Sequence, residues 1–187
     1  MGFEVARRAA SYFRPLQDEP TNPPPAAPPG PADFRAAMSL LPTGVCVVTS
    51  MVGGEPAGAT AGAVSSLSLD PVMMLACLDR GSRTLEAVRG SRAFGVNVLA
   101  ADREDLAHRF STKEHPTVKW DGVEWCERSG VPWIEGTVAR LACELHELHE
   151  GGDHVIATGP VRALEVAGGD PLVFWGGRYH PAHFGAR

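Results

Sequence analysis

From Gly44 to Pro71 apolar residues alternate with small and hydroxyl-bearing ones, the pattern of strands that pack on one face and leave the other for binding. Strands are predicted over Val45–Met51, Ala57–Ala63 and Val72–Leu78, with Gly53-Gly54 as the turn between the first two. Upstream, Phe34, Ala37, Met38 and Leu41 recur at helical spacing behind Asp33, a suitable cap, and Pro42 ends the run. Downstream the pattern predicts a helix over Thr84–Arg89 capped by Ser82, a strand over Ala93–Leu99 and a helix over Asp102–Phe110. Residues 111–131 read as irregular and polar, with Trp120 and Trp125 available to fold over a neighbour. Two long strands, Ile134–Leu148 and His154–Val166, meet at the turn Glu150-Gly151-Gly152-Asp153. A last strand covers Pro171–Trp175, and Gly176-Gly177 leads on to Tyr179. Six or more strands joined only by short helices predict a mainly β protein, an antiparallel barrel rather than a doubly wound sheet.

The chain divides into a tail with a linker, residues 1–32, and one domain, residues 33–187. Residues 15–31 hold eight of the sixteen prolines, a composition that neither buries apolar surface nor sustains a helix. Ahead of it, Phe3–Phe13 reads either as a short amphipathic helix or as a frayed tail. A net charge of −5 disfavours nucleic acid as a partner, since phosphate-backbone binding needs a basic surface. No apolar run approaches the roughly 20 residues that span a bilayer, so no membrane partner is expected. Arg7, Arg8 and Arg14 are not followed by an apolar core of a secretory signal. Cys46, Cys77, Cys126 and Cys143 show no C-x-x-C spacing and read as reduced thiols, which together predict a cytoplasmic protein.

Thr60, Ser65, Ser66 and Ser68 fall within nine residues, too dense for a purely packed strand. They read either as donors for a phosphorylated ligand, helped by backbone N–H groups beside Gly58 and Gly62, or as the polar face of an edge strand. Ser82-Arg83-Thr84 at a helix start suits a phosphate as well as a simple cap. Asn97, an amide among apolar neighbours, either braces the core or reaches a ligand. His146 and His149, with Glu144, Glu147 and Glu150, lack a metal-ligand spacing and read as solvated, and no metal is expected. His154 differs, because Gly152-Asp153 fixes the backbone beside it and presents the imidazole at a strand start. No nucleophile elbow and no Rossmann fingerprint occur. A barrel with such donors points to a phosphorylated cofactor of the flavin type.

These segments, taken in order, carry a resemblance. Leu41-Pro42-Thr43-Gly44-Val45, Gly58-Ala59-Thr60, Ser65-Ser66-Leu67-Ser68-Leu69-Asp70-Pro71, Ser82-Arg83-Thr84, Phe94-Gly95-Val96-Asn97-Val98-Leu99 and Gly152-Asp153-His154 strongly resemble the flavin reductase-like family over about residues 33–180. The resemblance implies the FMN-binding split-barrel fold, a homodimer with flavin near the subunit interface, and NADH or NADPH as reductant. It implies that Thr60, Ser65, Ser66 and Ser68 contact flavin, and that Ser82 and Thr84 flank its phosphate. Asn97 matches the family's V-N-x-L asparagine, and Lys119 a basic residue ahead of an aromatic. Tyr179 matches an aromatic at the end of the pocket, and His154 the histidine beside the nicotinamide. Val64, Gly62 and Val72 depart from the family's usual aromatic, larger residue and second proline. By analogy the cofactors are FAD, or FMN, with NADH, and the partner is a flavin-dependent monooxygenase that receives reduced flavin. Two other readings stay open, a non-catalytic flavin- or haem-binding split barrel and an FMN-dependent oxidase of the pyridoxamine phosphate oxidase type.

Overall fold

The computed structural model describes residues 27–182. They form a short N-terminal unit ending at Ala36 and a unit from Ala37 onward that holds every strand among them. The expected Phe3–Phe13 helix and most of the proline-rich linker lie outside the described residues. Helix α1 (Pro31–Met38) starts ahead of the expected cap, because Pro31 suits a first helical position, and Asp33 falls in the first turn.

The strands begin with β1 (Thr43–Gly44), β2 (Cys46–Val52) and β3 (Glu55–Ala61). Gly53 and Gly54 join β2 to β3 with φ of +60° and +85°, the left-handed pair that a tight hairpin turn requires. Then come β4 (Val64–Leu69), β5 (Val72–Asp79), α2 (Arg83–Ser91), β6 (Ala93–Leu99), α3 (Glu104–Ser111) and α4 (Pro116–Lys119). The chain ends its regular structure with β7 (Trp125–Arg128), β8 (Val131–Ile134), β9 (Thr137–Glu144), β10 (Glu147–Gly151), β11 (His154–Val166), β12 (Leu172–Trp175) and β13 (Arg178–Pro181).

The main sheet runs β3-β2-β6-β9-β11-β5-β4, with β10 paired to β11, and its pairings are antiparallel. β3 and β4 stand at opposite ends of that path, yet only Gly62-Ala63 separates them in the chain. A sheet whose two edges are tied by two residues must curl round, and the antiparallel split barrel follows. β11 makes the corner. Its first half pairs with β5 and β10, its second with β9 after a register shift between Val161 and Ala163. Gly159 permits the crossing, since a Cβ there would sit 2.0 Å from the Glu144 carbonyl oxygen.

Period-two alternation along β2 feeds two cores. Cys46 and Val48 join Leu85, Val88, Phe94, Val96, Val155 and Ala157 on one side. Val47, with Val45, joins Leu99, Leu106, Phe110, Trp120 and Ile134 on the other. Burial pushes the Cys46 and Cys143 thiols up to about 12, so both act as small apolar groups.

Two expectations are corrected. The single strand Ile134–Leu148 is divided among β8, β9 and β10. Gly136, at φ +72°, breaks it first, and a corner at Leu145-His146 breaks it again where those amides turn to Arg92 and Thr158. Residues 111–131 are not irregular throughout. Pro116 starts α4 behind a His115 cap, and Ser129-Gly130, both at positive φ, turn β7 into β8. No helix among the described residues is long and apolar enough to cross a membrane.

Candidate functional site

Where Gly62-Ala63 carries the chain across the barrel, a groove of about 690 Å³ opens. That volume is within the usual range for small-molecule sites. One wall is β3 from Ala57 to Ala61, whose side chains are so small that a planar ring can lie against the strand. Gly58 cannot be larger, because a Cβ would come within 2.8 Å of the Phe110 ring. The Thr60 hydroxyl donates to the Ala107 carbonyl at 2.7 Å, so toward a ligand its oxygen is left as an acceptor.

The opposite wall is the end of β5 and the start of α2. The Ser82 hydroxyl accepts from the Leu85 amide at 3.1 Å, and its own proton remains to be donated. The amides of Arg83 and Thr84, in the first turn, have no intrahelical acceptor and carry the positive end of the helix dipole. Thr84 is buried beside them.

Lys119 supplies the strongest signal. It is 8% exposed, and its ammonium donates to the carbonyls of Phe110 at 3.2 Å and Gly58 at 3.4 Å. Among the described residues no carboxylate forms an ion pair with it. Burial, reinforced by the Arg83 charge and only partly opposed by Glu114, holds its pKa below the ordinary lysine value. A buried cation that keeps two backbone oxygens and no counter-ion fits an anionic ligand group in the groove.

His154 enters from the β10–β11 turn, opposite Asp79 of β5. Its Nδ1 lies 2.8 Å from the Asp153 carboxylate, an acceptor, so Nδ1 is committed there and Nε2 is the ring nitrogen left toward the groove. Tyr179, on β13, meets His108 edge-on at 4.8 Å and Phe174 at 5.2 Å. Burial and, less strongly, Glu104 raise its hydroxyl pKa, so it stays a neutral phenol.

Thr60, Ser82, Thr84, Lys119, His154 and Tyr179 thus share one groove. Four other candidates lie elsewhere in the single chain. Asn97 is fully buried away from the groove wall. Its amide donates toward the Val47 and Pro132 carbonyls and the Thr49 hydroxyl, and its carbonyl accepts from Ile134 at 2.8 Å. Of its two readings, the brace between β2, β6 and β8 is the one these contacts carry. Ser65, Ser66 and Ser68 stand on β4, the sheet's edge strand, outside the groove. Ser65 donates to the Ser66 carbonyl, and Ser68 accepts from the Asp70 amide. Arg83 and Lys113 also line the groove; the place of Arg83 between Ser82 and Thr84 at the helix start was a sequence signal for it, and nothing comparable marked Lys113.

A split barrel with a small-residue wall, a helix start and a buried lysine lining one groove offers a site for a flat, anionic ligand. The chain belongs to the flavin reductase like domain family, which matches residues 38–183. It is 35% identical to the reductase subunit HsaB of a flavin-dependent monooxygenase from Rhodococcus jostii, over 80% of this chain and 76% of that one. It is 36% identical to the NADH-dependent FMN reductase AsuE2 of Streptomyces nodosus subsp. asukaensis, over 96% of each. The structure of the NADH:FAD oxidoreductase SgcE6 from Streptomyces globisporus, in complex with NAD and FAD fragments, superposes with a TM-score of 0.75. That match has 35% identity and covers 86% of this chain and 98% of the other.

Proposed function

We infer that the protein is an NADH-dependent flavin reductase that reduces FAD or FMN and supplies reduced flavin to a flavin-dependent monooxygenase. The observation that carries the binding mode is Lys119, a buried ammonium with no carboxylate partner among the described residues, in a groove with a helix start. The chemistry is hydride transfer from nicotinamide C4 to flavin N5, supplied by the two bound groups themselves. Lys119, Arg83 and the first-turn amides of α2 hold the flavin phosphate. The β3 wall takes the flat face of the ring, with the Thr60 oxygen accepting from a ring or ribityl donor. His154 orients the nicotinamide by accepting from its carboxamide N–H at Nε2. None of these groups needs to gain or lose a proton. FAD and FMN share the riboflavin phosphate that the groove grips, so both serve.

The test is steady-state NADH oxidation by flavin-free protein, with and without added FAD, FMN or riboflavin. Turnover is expected only with flavin present. Equal NADH consumption by protein shown to contain no flavin contradicts the reading.

A second copy of the chain completes the groove in this proposal. The edge strand β4 and the start of β5 leave Leu67, Leu69 and Val72 exposed, Leu69 by 87%. Pairing two such edges about a two-fold axis would cover them and bring Ser65 and Ser66 to flavin held by the partner. Sedimentation should show a dimer at micromolar concentration, and Leu69→Glu should shift it toward monomer with weaker flavin binding. A fully active wild-type monomer would contradict this.

A further inference from the structure

We propose that Arg80, a residue outside the groove wall, is a positioning residue that sets the imidazole of His154 for NADH. The inference rests on the reading of His154 as the nicotinamide contact.

His154 stands at the first position of β11, directly after the β10–β11 turn. That turn is exposed, and Gly152 at φ +72° has nothing within 4 Å of where a Cβ would lie. The His154 backbone is held by the hairpin pairing with β10 and by the β5 ladder that sets it opposite Asp79, and the turn itself lies beyond both. Arg80 holds it at three points. The Arg80 amide donates to the Asp153 carbonyl at 3.0 Å. Its guanidinium donates to the Gly152 carbonyl at 2.8 Å and also forms an ion pair with Glu150. Both contacts come from one nitrogen, Nη2, held in the guanidinium plane, so the carbonyl and the carboxylate are engaged from a fixed direction that a freely rotating lysine ammonium holds less well.

Arg80 also lies two residues before Ser82, the cap of α2, and next to Asp79, whose carboxylate accepts from the Gly81 amide at 2.8 Å. One short segment therefore both carries the helix start and clamps the turn behind the imidazole. The Arg80 and Glu150 side chains are 48% and 69% exposed, so their ion pair adds little to folding stability. What the clamp supplies is direction. A small rotation of the turn would move Nε2 away from the carboxamide while leaving Lys119 and the β3 wall where they are.

The test is a double-mutant cycle on the full-length chain, with Arg80→Ala, Arg80→Lys, Glu150→Gln, His154→Ala and Arg80→Ala/His154→Ala. Each is measured for NADH KM and kcat at saturating FAD, for FAD Kd by fluorescence quenching, and for thermal midpoint. Arg80→Ala is expected to raise NADH KM about tenfold, with FAD Kd and thermal midpoint nearly unchanged. Glu150→Gln, which leaves the Gly152 contact in place, should raise KM about threefold, and Arg80→Lys should restore part of the loss. In the His154→Ala background Arg80→Ala should add almost nothing, because it acts through the imidazole. Three results overturn the proposal. If His154→Ala leaves NADH KM unchanged, the assignment of His154 falls and this role with it. If His154→Ala raises KM but Arg80→Ala and Glu150→Gln do not, only the Arg80 role falls. If Arg80→Ala raises KM equally with and without the imidazole, or raises FAD Kd instead, the arginine acts by another route.

Discussion

Lys119→Met raises the Kd for FMN or FAD about 10- to 100-fold at neutral pH and leaves NADH KM at saturating flavin nearly unchanged. Methionine keeps the length and apolar stem of the side chain and removes only the charge and donors. A charge-assisted hydrogen bond contributes about 1.5–3 kcal/mol, which is one to two decades in affinity. Riboflavin, without the phosphate, should lose about threefold or less, which separates loss of the anion contact from general damage to the groove. The pH dependence has a definite sign. Because burial lowers the Lys119 pKa, its ammonium is lost at lower pH than that of an exposed lysine. Flavin phosphate affinity should therefore fall as pH rises through that lowered value, and Lys119→Met should lack this fall. Stability of the flavin-free protein moves the other way. Between the lowered pKa and the ordinary lysine value the unfolded chain binds more protons, so raising pH through that window stabilises the fold relative to Lys119→Met. Equal losses for FMN and riboflavin would remove Lys119 from the phosphate site.

Much of this was legible in the sequence, and what was not has physical causes. The hairpin at Gly53-Gly54 and the strand Ala93–Leu99 are local patterns, and the structure keeps them. The Ser82 cap is equally local, since its hydroxyl accepts from an amide three residues on. The division of Ile134–Leu148 depends on where β9 and β10 turn to meet β11, and periodicity does not record a corner. Ser129-Gly130 was a readable turn signal, as was Pro116 after His115, but neither lies in a long enough periodic run to announce an element. Ser65, Ser66 and Ser68 show the limit of composition. A run of hydroxyls looks the same on a groove wall and on an edge strand, and only the strand order shows that within one chain these three lie on β4, outside the groove. Asn97 is similar, since a buried amide needs partners, and Val47 and Thr49 come from β2 while Pro132 and Ile134 come from β8. Burial of Lys119 was hidden because it needs Gly58, 61 residues earlier, as well as the nearby Phe110 to close over a lysine in a polar stretch.

His154→Ala should lower kcat/KM for NADH about 10- to 100-fold while FAD and FMN bind as in the wild type. The imidazole is more exposed than Lys119 on the phosphate side. It projects from an exposed turn, its Nδ1 is committed to Asp153, and Nε2 is the one ring atom left for a ligand. A contact of that kind suits a reductant that enters and leaves in each turnover, and one oriented hydrogen bond contributes about 1–3 kcal/mol to transition-state binding. His154→Gln, which retains an acceptor at the reach of Nε2 on a more flexible side chain, should recover part of the loss; His154→Ala should not be rescued by raising flavin. Lys119→Met gives the opposite pattern, so the two variants divide the groove between its two ligands. Stopped-flow reduction of FAD at varied NADH, beside flavin titration by fluorescence quenching, measures both. Should His154→Ala weaken flavin binding while the NADH dependence stays put, the histidine belongs to the flavin and the division of the groove is reversed.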